Sequence, residues 1–517
     1  MNKGELKMNS FNKIFFDKER LIYLSFFIIV FSFIVIFFTQ VNPIVLLDGD
    51  DWTYASYNRL AIPLYKDWNP CRIYPEIFMS FCSNLGLFFI KPFLGDYISS
   101  LSTAYGVVVS IFIFTYILFF VKFLKNKFKL PFENVILIAS LFLLLHFWCL
   151  RNFETNNEYL FYSHNATCYF YYIIPSLHNA ILVLYFYTYT LRLDIKYYKN
   201  KLHLGLVVLL IYLGVFSNLF PSIILISFLS YTILCYFIKS IKNKNFSIKK
   251  LLCSNFISLI AILMWIISLI FEATGGRAES LEDQKFDIVE TLKLLWARFY
   301  YSFNKFFLCF TIIVIFSCLI INILVLKKSK RNILLLENMC CFFYCGFICA
   351  IFQILLCSKT NSETIQRTDI LLSFFFYLFM IIALCLYYLL RKFKFINIFM
   401  PILLLVIITS TFIGNKTFAQ SNKLNLDYKL CKQLDEYLIE QITDADKKHQ
   451  TKMILNTPVY YNQEDNWPHA YYWGERISQT LYQHDIISKP IYIKIVPDKK
   501  INELFDIDTV FEHKVYR

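Results

Sequence analysis

LIYLSFFIIVFSFIVIFFTQV (21–41) carries no charged residue. An apolar run of about 20 residues crosses ~30 Å of hydrocarbon as a helix. Runs of this kind recur from end to end of the 517-residue chain, of which 57% is hydrophobic and 56 residues are Phe. Inside a bilayer only helices and closed barrels satisfy their backbone groups, and these runs lack the alternation of barrel strands. The chain therefore reads as an all-α polytopic membrane protein. The first run is too long for a signal peptide and lacks a small-residue cleavage site, so a retained span is expected.

The formal charge of +14 does not point to nucleic acid. The lysines cluster in short loops between apolar runs, which is the positive-inside pattern. Lys3, Lys7, Lys13, Lys18 and Arg20 place the N-terminus in the cytoplasm. Eleven spans then follow, at about 21–41, 102–122, 132–149, 167–191, 203–219, 221–238, 251–271, 305–326, 337–357, 370–390 and 395–414. Stretch 77–94 is expected to lie on the outer face as an interfacial or re-entrant helix. If it crossed, KFLKNKFK (122–129) would fall outside. In this register every strong basic cluster lies inside and the C-terminus lies outside. The 15 cysteines sit mostly in apolar runs and form no C-x-x-C pair, so neither a disulfide framework nor a zinc site is expected.

Residues 1–414 thus form the membrane domain, with an outer loop at 42–101, and 415–517 form a small extracytoplasmic α/β domain. In that tail, 427–442 and 477–484 read as helices and 452–456 and 491–496 as strands.

The outer loops hold the candidate chemistry. LLDGDDWTYASYNRL (46–60) places Asp48, Asp50 and Asp51 within four positions, with Trp52 and Tyr54 beside them. Packed carboxylates repel, which raises a pKa and suits one of them to act as a base. Such residues also cap helices or simply face solvent. Arg72 lies in KDWNPCRIYPE (66–76), Arg277 in TGGR (274–277), and Arg367 just before span 370–390. A guanidinium holds phosphate through a bidentate fork, although Arg72 could be an interfacial anchor beside Trp68 and Tyr74, Arg277 a solvated loop charge, and Arg367 a partner of Asp369 or Glu363. NNEYLFYSHNATCYFYY (156–172) adds Glu158, Tyr159, His164 and further aromatics, which suit either a sugar or the bilayer interface. His178, inside a span, is a functional or a hydrogen-bonded structural histidine. A divalent ion, Mg or Mn, at the Asp cluster is compatible with the sequence but not required by it.

An acidic pair after the first span resembles the GT-C superfamily of membrane glycosyltransferases. The nearer likeness is to bacterial Gtr-type glucosyltransferases, which take sugar from a polyprenyl-phosphate carrier. Their D-D-W-x-Y pattern is met by Asp50, Asp51, Trp52 and Tyr54, and W-N-x-R is met with one extra residue by Trp68, Asn69 and Arg72. Their Gly-rich loop with Arg is approximated at Arg277. The chain departs from the pattern at Cys71, where Gly is common, at the short spacing of TGGR, and at Asn218 in place of an acid. The resemblance implies an inverting transferase in a bacterial inner membrane, with its site facing the periplasm or outside. Its partners would be a polyprenyl-phosphate sugar, a glycan or glycolipid acceptor, and the lipid bilayer. Asp50 or Asp51 would be catalytic. Asp48, Trp52, Tyr54, Arg72, Glu158, Tyr159, His164, Arg277 and Arg367 would bind substrate. The rivals are a polysaccharide polymerase or ligase, a flippase or transporter for lipid-linked sugars, and a non-enzymatic scaffold. A transporter would place charges inside the spans and repeat its halves. The sequence shows neither.

Overall fold

The computed structural model describes residues 3–57, 70–150, 157–274, 285–324, 330–413, 418–460 and 466–507. Among these, nine helices are long and apolar enough to cross a membrane. The first helix, α1, runs from Lys3 to Ile36 and continues through a π-helical turn at Phe37–Val41. A short helix α2 (Gly49–Ser56) follows. Next come α3 (Tyr74–Leu94), α4 (Tyr97–Phe128), α5 (Phe132–Trp148), α6 (Ala166–Thr188), α7 (Lys201–Val215) and α8 (Leu219–Lys242). The second half holds α9 (Phe256–Thr274), α10 (Ile288–Ser302), α11 (Lys305–Leu324), α12 (Lys330–Thr360), α13 (Thr368–Lys392) and α14 (Ile396–Phe412). α6 and α13 are the most enclosed of the long helices.

The set differs from the eleven expected spans in two ways. α3 is long enough to cross, whereas α5, α7 and α14 are apolar but shorter than 18 residues. Local signals mark the start of the first two, whereas the proline of the third lies within the helix. Pro131 caps α5, Asn200 caps α7 through its side chain, and α14 carries Pro401.

α1 and α4 pack antiparallel in one continuous register. Lys125 pairs with Glu19 at 3.1 Å, Phe114 meets Phe27 edge-on, and Gly106 closes on the backbone of Phe38. A Cβ at 106 would collide with the Phe38 carbonyl, so this crossing requires glycine. α3 folds back on α4 through Gly95, whose φ of +74° suits a residue without a side chain. The Asp96 carboxylate then caps α4 at Ile98 and Ser99. Along this hairpin Ser83 bonds Tyr105 at 2.6 Å, and Tyr74 reaches Phe112 and His178. α3 therefore begins level with the middle of α4, while α1 and α4 continue together to the Glu19–Lys125 end.

At the other end sits the C-terminal segment. It contains α15 (Tyr428–Lys447), β1 (Lys452–Thr457), α16 (Trp473–Gln483), β2 (Tyr492–Pro497) and α17 (Lys499–Phe505). β1 and β2 pair in parallel, joined by a crossover that contains α16. Gly474 lets α16 lie on β2, because a Cβ there would strike the Ile493 carbonyl. The segment is tied to the helices at several points. Asp96 pairs with Lys432 at 2.6 Å, Tyr97 bonds His484 at 2.7 Å, and Asn42 donates to the Ala419 carbonyl at 2.8 Å.

Candidate functional site

α2 stands at this same end, directly after α1. Its three carboxylates have different surroundings. Asp51 is buried and saturated. One oxygen accepts from the Thr167 backbone N–H and hydroxyl, both at 2.7 Å, and the other accepts from Leu47 and Asp48 N–H at 3.3 Å. Asp48 is also buried and accepts from Asn165 at 2.8 Å, while its second oxygen has no partner. Asp50 is exposed. Burial, then the neighbouring Asp51 charge, pushes the Asp48 carboxyl up to about 8. Burial also raises Asp51, but the Thr167 bonds hold it lower.

The aromatic residues of α2 split the same way. Trp52 is fully buried and packs edge-on against Trp473 at 6.2 Å. Its carbonyl accepts from Thr480, and Ser56 also bonds Thr480 at 2.7 Å. Arg476 donates to Thr53. Trp52 therefore anchors α2 to α16 and presents no surface to a ligand. Tyr54 is half-buried on the other side, where it accepts from the Tyr171 hydroxyl at 3.1 Å. The charges of Glu76, Asp50 and Arg72 all reach it.

Asp50, which shares α2 with Tyr54, and Arg72 both act electrostatically on Tyr54. Arg72 has a φ of +61°, an uncommon conformation for a residue with a side chain, which tends to mark functional positions. It grips Glu272 of α9 through Nε at 3.4 Å and Nη2 at 3.2 Å. Two of its five N–H groups are used in this pairing. Beyond Tyr171, Tyr172 lies under the Arg367 guanidinium at 4.5 Å. Arg367 is bound bidentately to Asp369, at 3.0 and 2.6 Å, and Asp369 also accepts from Ser163. His164 sits beside this pair, half-buried. Burial first, then the Arg367 charge, pushes its imidazole down to about 3.

Other expected residues lie outside the cluster. Glu158 is held by Arg298 of α10. Tyr159 is fully buried, accepting from Asn42 at 2.8 Å and stacked on Phe147. His178 has partners at both nitrogens, the Tyr74 hydroxyl at 2.6 Å and the Leu210 carbonyl at 2.8 Å, as a structural histidine does. Trp68, Asn69 and Arg277 lie outside the described residues. For a divalent ion such as Mg or Mn, the described residues offer no group of three or more His, Cys, Asp or Glu side chains.

Several neighbours were not legible beforehand. Glu272 and Arg298 meet partners 200 and 140 positions away, and no local pattern signals that. Two π-helical turns adjoin the cluster, Tyr74–Phe78 directly after Arg72 and Tyr169–Ile173, which contains Tyr171. Such turns are frequent at functional sites and leave no sequence signature. Asp435 of α15 is fully buried with neither oxygen partnered, and burial followed by the Asp51 charge raises its pKa well above the carboxylate range.

A scan against family models, a search of curated proteins and a search of solved structures find no match to this chain.

Proposed function

We propose that the protein is an inverting glycosyltransferase that moves a sugar from a polyprenyl-phosphate carrier to a cell-surface polysaccharide or glycolipid. The observation that carries this reading is exposed Asp50 on the same short helix as half-buried Tyr54, which bonds buried Tyr171 and lies within electrostatic reach of half-buried Arg72. A base, aromatic faces and a phosphate-binding fork are what this transfer needs. Asp50 takes the proton of an acceptor hydroxyl. That oxygen bonds to the anomeric carbon as the bond from that carbon to the carrier phosphate breaks. Polyprenyl phosphate leaves with the bonding pair. Arg72 stabilises its growing charge through the N–H groups that Glu272 does not use, the type of electrostatic term that usually contributes most. Asp51 and Asp48 position α2 rather than react.

In this reading the bundle lies in a bacterial inner membrane, with the C-terminal segment and the cluster outside. Charge supports the orientation. Glu19 and the basic end of α4 lie at the opposite face, where Lys122, Lys125, Lys127 and Lys129 gather. The register also supports a re-entrant α3, because its Tyr74 end stops level with the middle of α4.

The test is Asp50→Asn, and separately Asp51→Asn, in the protein's own cell, with membrane levels confirmed and the surface polysaccharide analysed by mass. Loss of one defined sugar from an intact backbone in Asp50→Asn supports the reading. Loss of chain length, or of the whole polymer, replaces it with a polymerase or flippase. An unchanged glycan in both the variant and the deletion strain removes its support.

A further inference from the structure

α10 is built inside out. Its polar residues Thr291, Arg298 and Ser302 face the protein and are buried. Its apolar residues Val289, Leu292, Trp296 and Tyr300 are exposed, Trp296 by 73%. At helical spacing these four form one stripe, on the side opposite Arg298. A helix on a water-facing surface has the reverse arrangement, because leaving such a stripe in water forfeits ~1.5–3 kcal/mol per large side chain.

The placement of α10 is equally informative. At its start, the Asp287 N–H donates to the Ser358 carbonyl at 2.9 Å, near the end of α12. Just past its end, the Asn304 N–H donates to Cys149 and the side chain to Trp148, at the end of α5. Both ends are therefore pinned to the ends of other apolar helices at one face of the bundle. With 15 residues the helix is about 22 Å long, too short to cross the hydrocarbon. It runs across the bundle end instead. The stripe continues into α11, which begins at Lys305 and exposes Phe306, Ile312, Ile313 and Phe316.

We infer that α10 lies in the plane of the membrane, with Val289, Leu292, Trp296 and Tyr300 in the boundary between headgroups and acyl chains of the leaflet on the cluster's side. Trp and Tyr favour that layer, and amphipathic helices bury an apolar face there. Lys293 borders the stripe, where its stem can lie along lipid with the ammonium among headgroups. The same helix holds Glu158 through Arg298, so its seating in lipid sets the position of the segment leading to His164.

The test compares the wild type with Trp296→Phe in nanodiscs of phosphatidylcholine whose chains carry bromine either near the headgroup or near the chain terminus. The difference spectrum isolates Trp296 from the other six tryptophans. The expected result is blue-shifted emission quenched more strongly by the shallow bromines. Tyr300→Trp in the Trp296→Phe background restores a signal with the same quenching order, whereas a misfolded variant does not. A water-like difference spectrum that neither bromine quenches overturns the inference. So does a blue-shifted, unquenched signal that disappears in discs holding a single copy, which assigns the stripe to a second chain.

Discussion

Asp48 and Asp51 sit side by side in the interior, yet only one is fully supplied with donors. That difference gives two predictions. Folded Asp48 keeps its proton up to about pH 8, whereas an unfolded aspartate loses it near pH 4. The folded state therefore binds more protons across that window, and stability falls as pH rises through it. Buried Asp435 adds to the same slope. In detergent, the wild-type Tm should drop between about pH 6 and about pH 8, and Asp48→Asn should flatten the drop. A slope that the substitution leaves undiminished assigns the effect to Asp435 or another group. Asp51→Ala leaves the Thr167 donors and two further N–H groups without an acceptor, and should cost about 3 kcal/mol, read as a lower Tm with loss of α2. Arg72→Lys keeps the charge but loses the planar fork, and transfer should fall by roughly 10²-fold at normal membrane levels. Asp50, Tyr54 and Arg72 were legible as a group because they fall on one short outer loop. Their counterparts were not. Glu272 and Arg298 become partners of Arg72 and Glu158 only through the packing of distant helices, and no spacing in the chain encodes that, whereas Arg367 and Asp369 are two residues apart and their pairing was readable.

Among the elements, α2 is held from both sides, by Thr167 at the head of α6 and by Thr480 on α16. Removing the α16 hydroxyl with Thr480→Val should cost about 1 kcal/mol and reduce transfer by more than it reduces protein level, because the Trp52 carbonyl loses its donor. Equal losses in both would make Thr480 a folding residue alone. A bulky residue at the α1–α4 crossing should be worse tolerated. Gly106→Val pushes against the Phe38 backbone and should lower stability by about 1–3 kcal/mol, measured as Tm in detergent. Long apolar runs made α1, α4, α8, α12 and α13 readable, since length and composition alone identify them. α10 escaped because Glu290, Lys293 and Arg298 break its apolar sequence, so that no continuous run marks it. The end of the 77–94 stretch was visible in sequence, but its depth depends on a hairpin register that only the Ser83–Tyr105 and Tyr74–His178 bonds disclose.

Over the whole molecule, the lysine loops are readable without knowledge of any contact, and the proposed orientation rests on them. The joining of the two ends of the chain was not legible. The C-terminal segment rests on α2 and on the α3–α4 turn, so the residues after span 1 and residues near the terminus form one assembly. The central claim is that this assembly cleaves a lipid-linked phosphosugar with Asp50 as the base. The direct measurement is made on the full-length protein in proteoliposomes supplied with a radiolabelled polyprenyl-phosphate hexose and a crude acceptor glycan from its own cell. The account predicts that label passes to the acceptor, that polyprenyl phosphate is released in equal amount, and that Asp50→Asn abolishes both while leaving the Tm unchanged. Label that stays on the carrier in the wild type, or a transfer that Asp50→Asn leaves intact, would contradict it.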